Sequence, residues 1–360
     1  MRARGLLGAA LGVTLLAAGD AGAYVRSRSN ACNPIYWPQQ CVYVTLDKNG
    51  ALGNGNQDLS FDDVVTGTKN AIDSWQSRLA AAGSYLQLKY YPADQNRETE
   101  LDYIPVIKFR YDTCSGSCNS GQWCRPARGT AKVQCYDRSA AALTTVFFYD
   151  TPNDRARDGQ IIDADIELNA VHNHFYNKGM NPKPADVQRS GADLWNTLTH
   201  ELGHLVGLEH TCLASPGETT ACTVDQNGAR APLCGQVLAN TADPVNKALS
   251  ETTMFATADV DETKKRVPKA DDLAGVTAAY PSAVLALLGN PRDPYACKAP
   301  QERDLKQPPF GAAATGCGAG LSLPPPRGPG AGSGAALWLG ALCAAVTLIS
   351  LRRQRALARS

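Results

Sequence analysis

Between Tyr36 and Tyr280 the apolar positions switch between two periods, and each switch marks an element. "QQCVYVTLD" alternates and is rich in β-branched and aromatic residues, which predicts a first strand over Cys41–Leu46. Ser60 followed three residues later by Asp63 resembles a capping box. Val65, Thr68, Ile72, Trp75 and Leu79 then recur at helical spacing and predict a helix with one buried face. "SYLQLKYYP" and "IPVIKFRYD" read as two more strands, and "AALTTVFFYD" and "GQIIDADIELNA" as a further pair. Helical spacing returns in "DLWNTLTHELGHLVG", where Leu194, Trp195, Leu198, Leu202, Leu205 and Val206 predict an amphipathic, largely buried helix. The expected architecture is α+β: helices laid on a mixed sheet of about five strands, with no internal repeat.

The two ends read as addresses rather than as core. Arg2 and Arg4, an apolar run from Leu6 to Ala18, and the small residues Ala21, Gly22 and Ala23 follow the order of a secretory signal peptide. Residues 1–23 are therefore expected to be removed, with the mature chain starting at Tyr24. Residues 335–351 form an uncharged apolar stretch long enough to cross a bilayer. The basic tail 352–360, with Arg352, Arg353, Arg355 and Arg359, would stay on the cytoplasmic side. Residues 290–334 are a Pro/Gly-rich linker that cannot pack a core. Cys317, the apolar helix and the arginine cluster together resemble the tripartite MYXO-CTERM sorting tails of bacterial surface proteins, although Cys317 lies further from the helix than is usual there. A plain transmembrane anchor is the alternative. Residues 24–289 are then an exported domain, held at the cell envelope through the tail or released from it.

Charge and cysteine content narrow the picture. Lys+Arg number 35 against 34 Asp+Glu, so nothing in the balance would recruit nucleic acid. An exported chain meets an oxidising compartment, and of its 12 cysteines all but Cys317 and Cys343 lie in or near the folded part, leaving an even number to pair. Cys32 with Cys41 is expected as a local loop. Cys114, Cys118, Cys124 and Cys135 crowd an insertion over 114–135 and allow three connectivities; their spacing does not suit a zinc knuckle. Cys212, Cys222, Cys234 and Cys297 form the last group.

The candidate chemistry sits in "HELGHLVGLEH", which holds three of the chain's 5 histidines. His200 and His204 are four residues apart, so on a helix both imidazoles project from one face and can share a metal. His210 would lie about 240° further round than His204 on a continuous helix. The helix must therefore stop, and Gly207 can stop it by adopting a left-handed conformation that turns the chain and brings His210 back. Three neutral imidazoles with no fourth protein ligand describe a catalytic Zn²⁺, which lowers the pKa of bound water to about 7. Glu201 is the carboxylate placed to take that water's proton and pass it to a departing amine.

The motif matches the HExxHxxGxxH signature of the metzincin metalloproteases. That resemblance implies a twisted mixed sheet with two long helices, and a small C-terminal subdomain carrying a methionine turn and a closing helix. Met254 in "ETTMFATADVD" is the candidate methionine, one of 3 in the chain. "ADDLAGVTAAYP" looks like the closing helix of the matrixin branch, with Asp271, Asp272, Gly275 and Tyr280 in the expected order. Thr211, "WPQQCVYVTLD", Trp75 and "IIDADIELN" are also similar to matrixins. The resemblance implies a zinc-dependent endopeptidase acting on proteins or peptides, with a monomeric catalytic domain. It also implies that "AALTTVFFYD" is an edge strand pairing with extended substrate, and that a specificity pocket lies beside His200. Phe255 and Ala256 do not supply the tyrosine that astacin-type enzymes use as a fifth ligand.

Several features depart from the matrixin pattern. More than forty residues separate His210 from Met254, giving an insertion over 212–250, and the cysteine-switch motif is missing. His172 and His174, with Asp163 or Asp165, are a weaker candidate for a second metal than for a solvated strand end. Asp150, Asp154 and Asp158 lack EF-hand spacing and are read as a charged loop in preference to a Ca²⁺ site. The rival reading from another class is a non-catalytic, zinc-containing surface adhesion module with the same fold, against which an intact Glu201 argues. A zinc hydrolase acting on a non-peptide bond is a third reading.

Overall fold

The chain enters as a two-residue strand, β1 (Val25–Arg26), then forms β2 (Cys41–Leu46), helix α1 (Phe61–Ala81), β3 (Gln87–Tyr91) and β4 (Val106–Arg110). A cysteine-rich hairpin, β5 (Trp123–Arg125) and β6 (Gln134–Tyr136), precedes β7 (Ala142–Phe148) and β8 (Ile161–Asn169). Short strands β9 (His174–Tyr176) and β10 (Gly191–Asp193) lead into helix α2 (Leu194–Leu205). Strand β11 (Leu208–Glu209) and helices α3 (Cys234–Ala239), α4 (Pro244–Ser250) and α5 (Ala270–Ala279) complete the order. This is a computed structural model, and it describes residues 24–51, 59–93, 95–128, 132–180, 191–215, 222–282 and 297. The expected signal peptide, apolar stretch and basic tail lie outside the described residues, as does the linker apart from Cys297.

The sheet has the order β3-β2-β4-β8-β7, with β7 antiparallel to β8 and the other pairs parallel, which makes it the expected mixed α+β sheet of five strands. Strand β7 is an edge. Helix α1 begins at the predicted capping box, with the Ser60 side chain accepting from Asp63 N and the Asp63 carboxylate accepting from Ser60 N. Its buried face is Val64, Gly67, Thr68, Ala71, Ile72, Trp75 and Leu79, so Val64 rather than Val65 opens the stripe. Trp75 crosses to α2, donating its indole N–H to Thr199 O at 2.8 Å. This bond matters for position, because a buried indole N–H without a partner would be costly.

All nine residues of β8 are buried, although the strand alternates apolar and acidic side chains. Ala164, Ile166 and Leu168 join the main core. Asp163, Asp165 and Glu167 therefore project from the opposite face of the sheet. A half-polar strand normally has a wet face, but here the cysteine-rich insertion forms a roof over part of it. Glu167 accepts from Arg110 Nε at 2.6 Å and from the Tyr136 hydroxyl at 2.9 Å. Cys114–Cys124 and Cys118–Cys135 pin that roof, one of the three connectivities left open by the sequence.

The remaining cysteines correct the sequence reading. Cys32 does not pair with Cys41; the bonds are Cys32–Cys222, Cys41–Cys297 and Cys212–Cys234. The reason is topological. The arm that carries Cys32 runs along β11 and bridges Asp225, which sets it beside the insertion that carries Cys222. Cys41 opens a strand whose partner β3 starts next to the exit of α5, since Tyr85 N bonds Tyr280 O and Ser84 bridges Pro281.

Asp163 accepts three backbone N–H bonds, from Asp102, Tyr103 and Ala164. Asp165 accepts one from Val106 N on Oδ1, and its buried Oδ2 has no partner among the described residues. Burial pushes the Asp163 carboxyl up to about 7 and holds Asp165 well above the carboxylate range, with the charge of Asp102 adding to the first shift and that of Asp163 to the second. Both acids keep their protons to higher pH in the folded chain than in the unfolded one, so this pair costs stability as pH rises through about 7. Asp165→Asn is accordingly expected to exceed wild type in stability at pH 8 by roughly 1–2 kcal/mol, with the gap closing toward pH 5. Urea denaturation at the two pH values reads this, and a gap independent of pH would contradict it.

Candidate metal centre

Helix α2 starts at Asp193, whose carboxylate accepts from Asn196 N at 2.7 Å and is held by Arg266. Leu194, Leu198, Leu202 and Leu205 are fully buried, and this fixes the rotation of the helix. His200 and His204 then lie on one face beside the core, as helical spacing requires.

The helix ends where the sequence expects. Gly207 has φ +88, a conformation that a Cβ disfavours. A Cβ there would also lie 2.7 Å from an Arg26 guanidinium nitrogen and 2.8 Å from Ile35 O. The final carbonyls of α2, which have no partner within the helix, are capped from outside. Trp37 Nε1 donates to Leu205 O at 2.8 Å, and Arg26 and the Tyr280 hydroxyl both donate to Val206 O at 3.1 Å. Strand β11 then pairs with β1, and His210 follows it back toward the helix.

The three imidazoles converge. His210 Nε2 lies 3.2 Å from His200 Nε2 and 3.1 Å from His204 Nε2. His200 Nδ1 donates to Thr253 O at 2.6 Å and His204 Nδ1 donates to Leu208 O at 2.8 Å. Those bonds place the proton on Nδ1 and leave Nε2 as a lone-pair donor, the usual tautomer of a metal-ligating histidine. Burial, reinforced by neighbouring positive groups, holds His200 and His210 well below the usual imidazole range and so in the neutral form. Three nitrogens on a tetrahedral zinc at about 2.0–2.1 Å would sit a little over 3 Å apart, so the donor set fits that ion in kind and spacing.

Glu201 is not one of the converging ligands. It is buried, 5% exposed, and its Oε2 accepts a 2.6 Å bond from the Thr144 hydroxyl on β7. Burial pushes the Glu201 carboxyl up, while His204, the Thr144 bond and Lys265 pull it down.

The turn at Thr252–Met254 ties these parts together. Thr253 O receives His200, Met254 O receives Thr211 N at 3.0 Å, and the amides of Thr253 and Met254 both donate to the Asp272 carboxylate at the start of α5. Met254 is buried against α2 at Gly203, where a Cβ would overlap its sulfur and approach Trp75. Lys265 steadies the segment that follows by donating to Phe255 O and Thr257 O. Thr144, Thr253, Arg26 and Lys265 were not singled out by the sequence; of these only Thr144 left a trace, as the one polar residue among Ala142, Val146 and Phe148.

The weaker metal candidates do not assemble. Among the described residues the converging groups of three or more metal-ligating side chains are the histidine triad and Cys114, Cys118 and Cys124, and those cysteines are in disulfides. His172, His174, Asp163 and Asp165 form no such group. Asp150 and Asp158 instead bind the N-terminal arm, at Asn30 and at Ser29 and Asn33.

Because Gly203 is the point of contact between α2 and Met254, Gly203→Ala is expected to cost about 2–3 kcal/mol. The double variant Gly203→Ala/Met254→Ala should lose less than the sum of the two single changes, since the overlap is removed. Denaturant melts of the four proteins give the coupling, and strict additivity would show that the two residues do not press on each other.

Residues 138–248, which include the triad, Glu201 and Thr144, match the Reprolysin_5 model of metallo-peptidase family M12. No curated protein matches the chain. The family-model match supports a metalloprotease, and with it a hydrolase that depends on zinc and acts on proteins or peptides.

Proposed function

We propose that the chain is an exported, envelope-attached zinc endopeptidase of matrixin type, with His200, His204 and His210 as metal ligands and Glu201 as general base. The observation that carries this reading is the convergence of three Nε2 atoms beside a buried carboxylate that is not among them. A zinc site serving structure alone is normally closed by a fourth protein ligand and needs no such carboxylate. When bound, zinc lowers the pKa of water to about 7 and polarises a carbonyl oxygen.

The chain's own residues supply the rest. Glu201 takes a proton from the attacking water and delivers it to the departing amine, so water is added across the peptide bond with no net proton change. His200 and His204 are kept in the ligating tautomer by Thr253 O and Leu208 O. Strand β7, an edge of the sheet, offers free backbone groups to an extended peptide, which favours affinity without strong sequence demand. The matrixin branch rests on Met254 against Gly203, on Asp272 and Gly275 in α5, and on Tyr280 at its C-terminal cap. Export and attachment rest on the reading of residues 1–23 and 317–360.

The full chain, purified with zinc, is expected to cleave a denatured protein, with Glu201→Gln keeping one zinc while losing about 10³-fold in kcat. Metal analysis alongside a gel assay reads both. A wild type that holds one zinc and cuts nothing would favour the adhesion module instead.

A further inference from the structure

We propose that Thr144 is a positioning residue that fixes the carboxylate of Glu201 for proton transfer, an inference that rests on Glu201 being the general base. On β7 the side chains at Ala142, Val146 and Phe148 pack against the main core, and Thr144 stands in the same alternating row. Valine would fill that place with no polar group to satisfy, so the hydroxyl needs a reason. Its partner is Glu201: Oγ1 lies 2.6 Å from Oε2 and 3.2 Å from the Glu201 carbonyl oxygen. A hydroxyl has one proton to give, and the shorter, charge-assisted contact takes it.

The arm that holds the carboxylate is rigid. Thr144 pairs with Ile166 in the β7–β8 ladder, so its backbone is held by the fully buried strand β8, and its β-branched side chain has few rotamers. Glu201 is set by α2. The bond therefore joins β7 to α2 and occupies one carboxylate oxygen, leaving the other for the water. Because β7 is also the edge offered to substrate, the base is held in register with the strand along which a peptide would lie.

The test compares Thr144→Val and Thr144→Ser in the full chain. For the zinc-loaded protein, Thr144→Val is expected to lower kcat about 10- to 100-fold with KM within twofold of wild type, and Thr144→Ser to recover most of it. Zinc content and melting temperature should match wild type in both. In the metal-free protein, the carboxylate stretch assigned to Glu201 by infrared difference against Glu201→Gln should shift in Thr144→Val and stay in place in Thr144→Ser. If wild type cleaves while Thr144→Val keeps its full kcat, or Thr144→Ser falls as far as Thr144→Val, or the band does not move, the positioning role is wrong and the peptidase reading stands. A wild type that cuts nothing overturns the peptidase reading, and the catalytic part of this proposal with it, whatever the infrared band shows.

Discussion

A single α-helix cannot bring three histidines to one metal when the third lies six residues beyond the second. The left-handed turn at Gly207 removes that obstacle, and the rest of the centre depends on it. The turn is held from several sides. Arg26 and Tyr280 reach Val206 O, Trp37 reaches Leu205 O, and Ser27 N bonds Gly207 O. The N-terminal arm, the first strand's approach and the end of α5 thus all meet at one helix terminus. Capping groups that satisfy stranded carbonyls also fix where the next residues go. His210 arrives within 3.2 Å of both other imidazoles as a result.

A second support stands below the first. The Thr252–Met254 turn receives His200 and Thr211 and is itself anchored on Asp272. Asp272 is buried, and burial pushes its carboxyl up while the amides of Lys269, Thr253 and Met254 pull it down. The same opposition governs Glu201, whose carboxyl burial pushes up while His204, the Thr144 bond and Lys265 pull it down. Burial acts on His200 and His210 in the sense that favours ligation, since a neutral imidazole is what a metal needs. Burial therefore acts on the imidazoles of His200 and His210 and on the carboxyl of Glu201 together.

Local features were legible in the sequence because their causes are local. The capping box at Ser60, the alternation in β2, and the spacing of His200 and His204 each depend on residues within one element. Gly207 was legible because only a helix break could make sense of His210. The cysteine pairing was not, because Cys32–Cys222 and Cys41–Cys297 span 190 and 256 residues and are set by which ends the topology brings together. The acidic row of β8 has the pattern of any strand with one wet face, and nothing near it in sequence announces the roof formed by β5 and β6. Thr144 and Glu201 are 57 residues apart, and the bond between them exists only once β7 lies along α2.

The proposed site has His200, His204 and His210 holding one zinc with a coordination position left open. X-ray absorption at the zinc edge of the metal-loaded full chain, compared with His210→Ala, addresses it directly. One zinc with three nitrogen ligands at about 2.0–2.1 Å and one light oxygen ligand is expected, with loss of a nitrogen in the variant. A sulfur shell near about 2.3 Å, or a spectrum unchanged by removing His210, would contradict it.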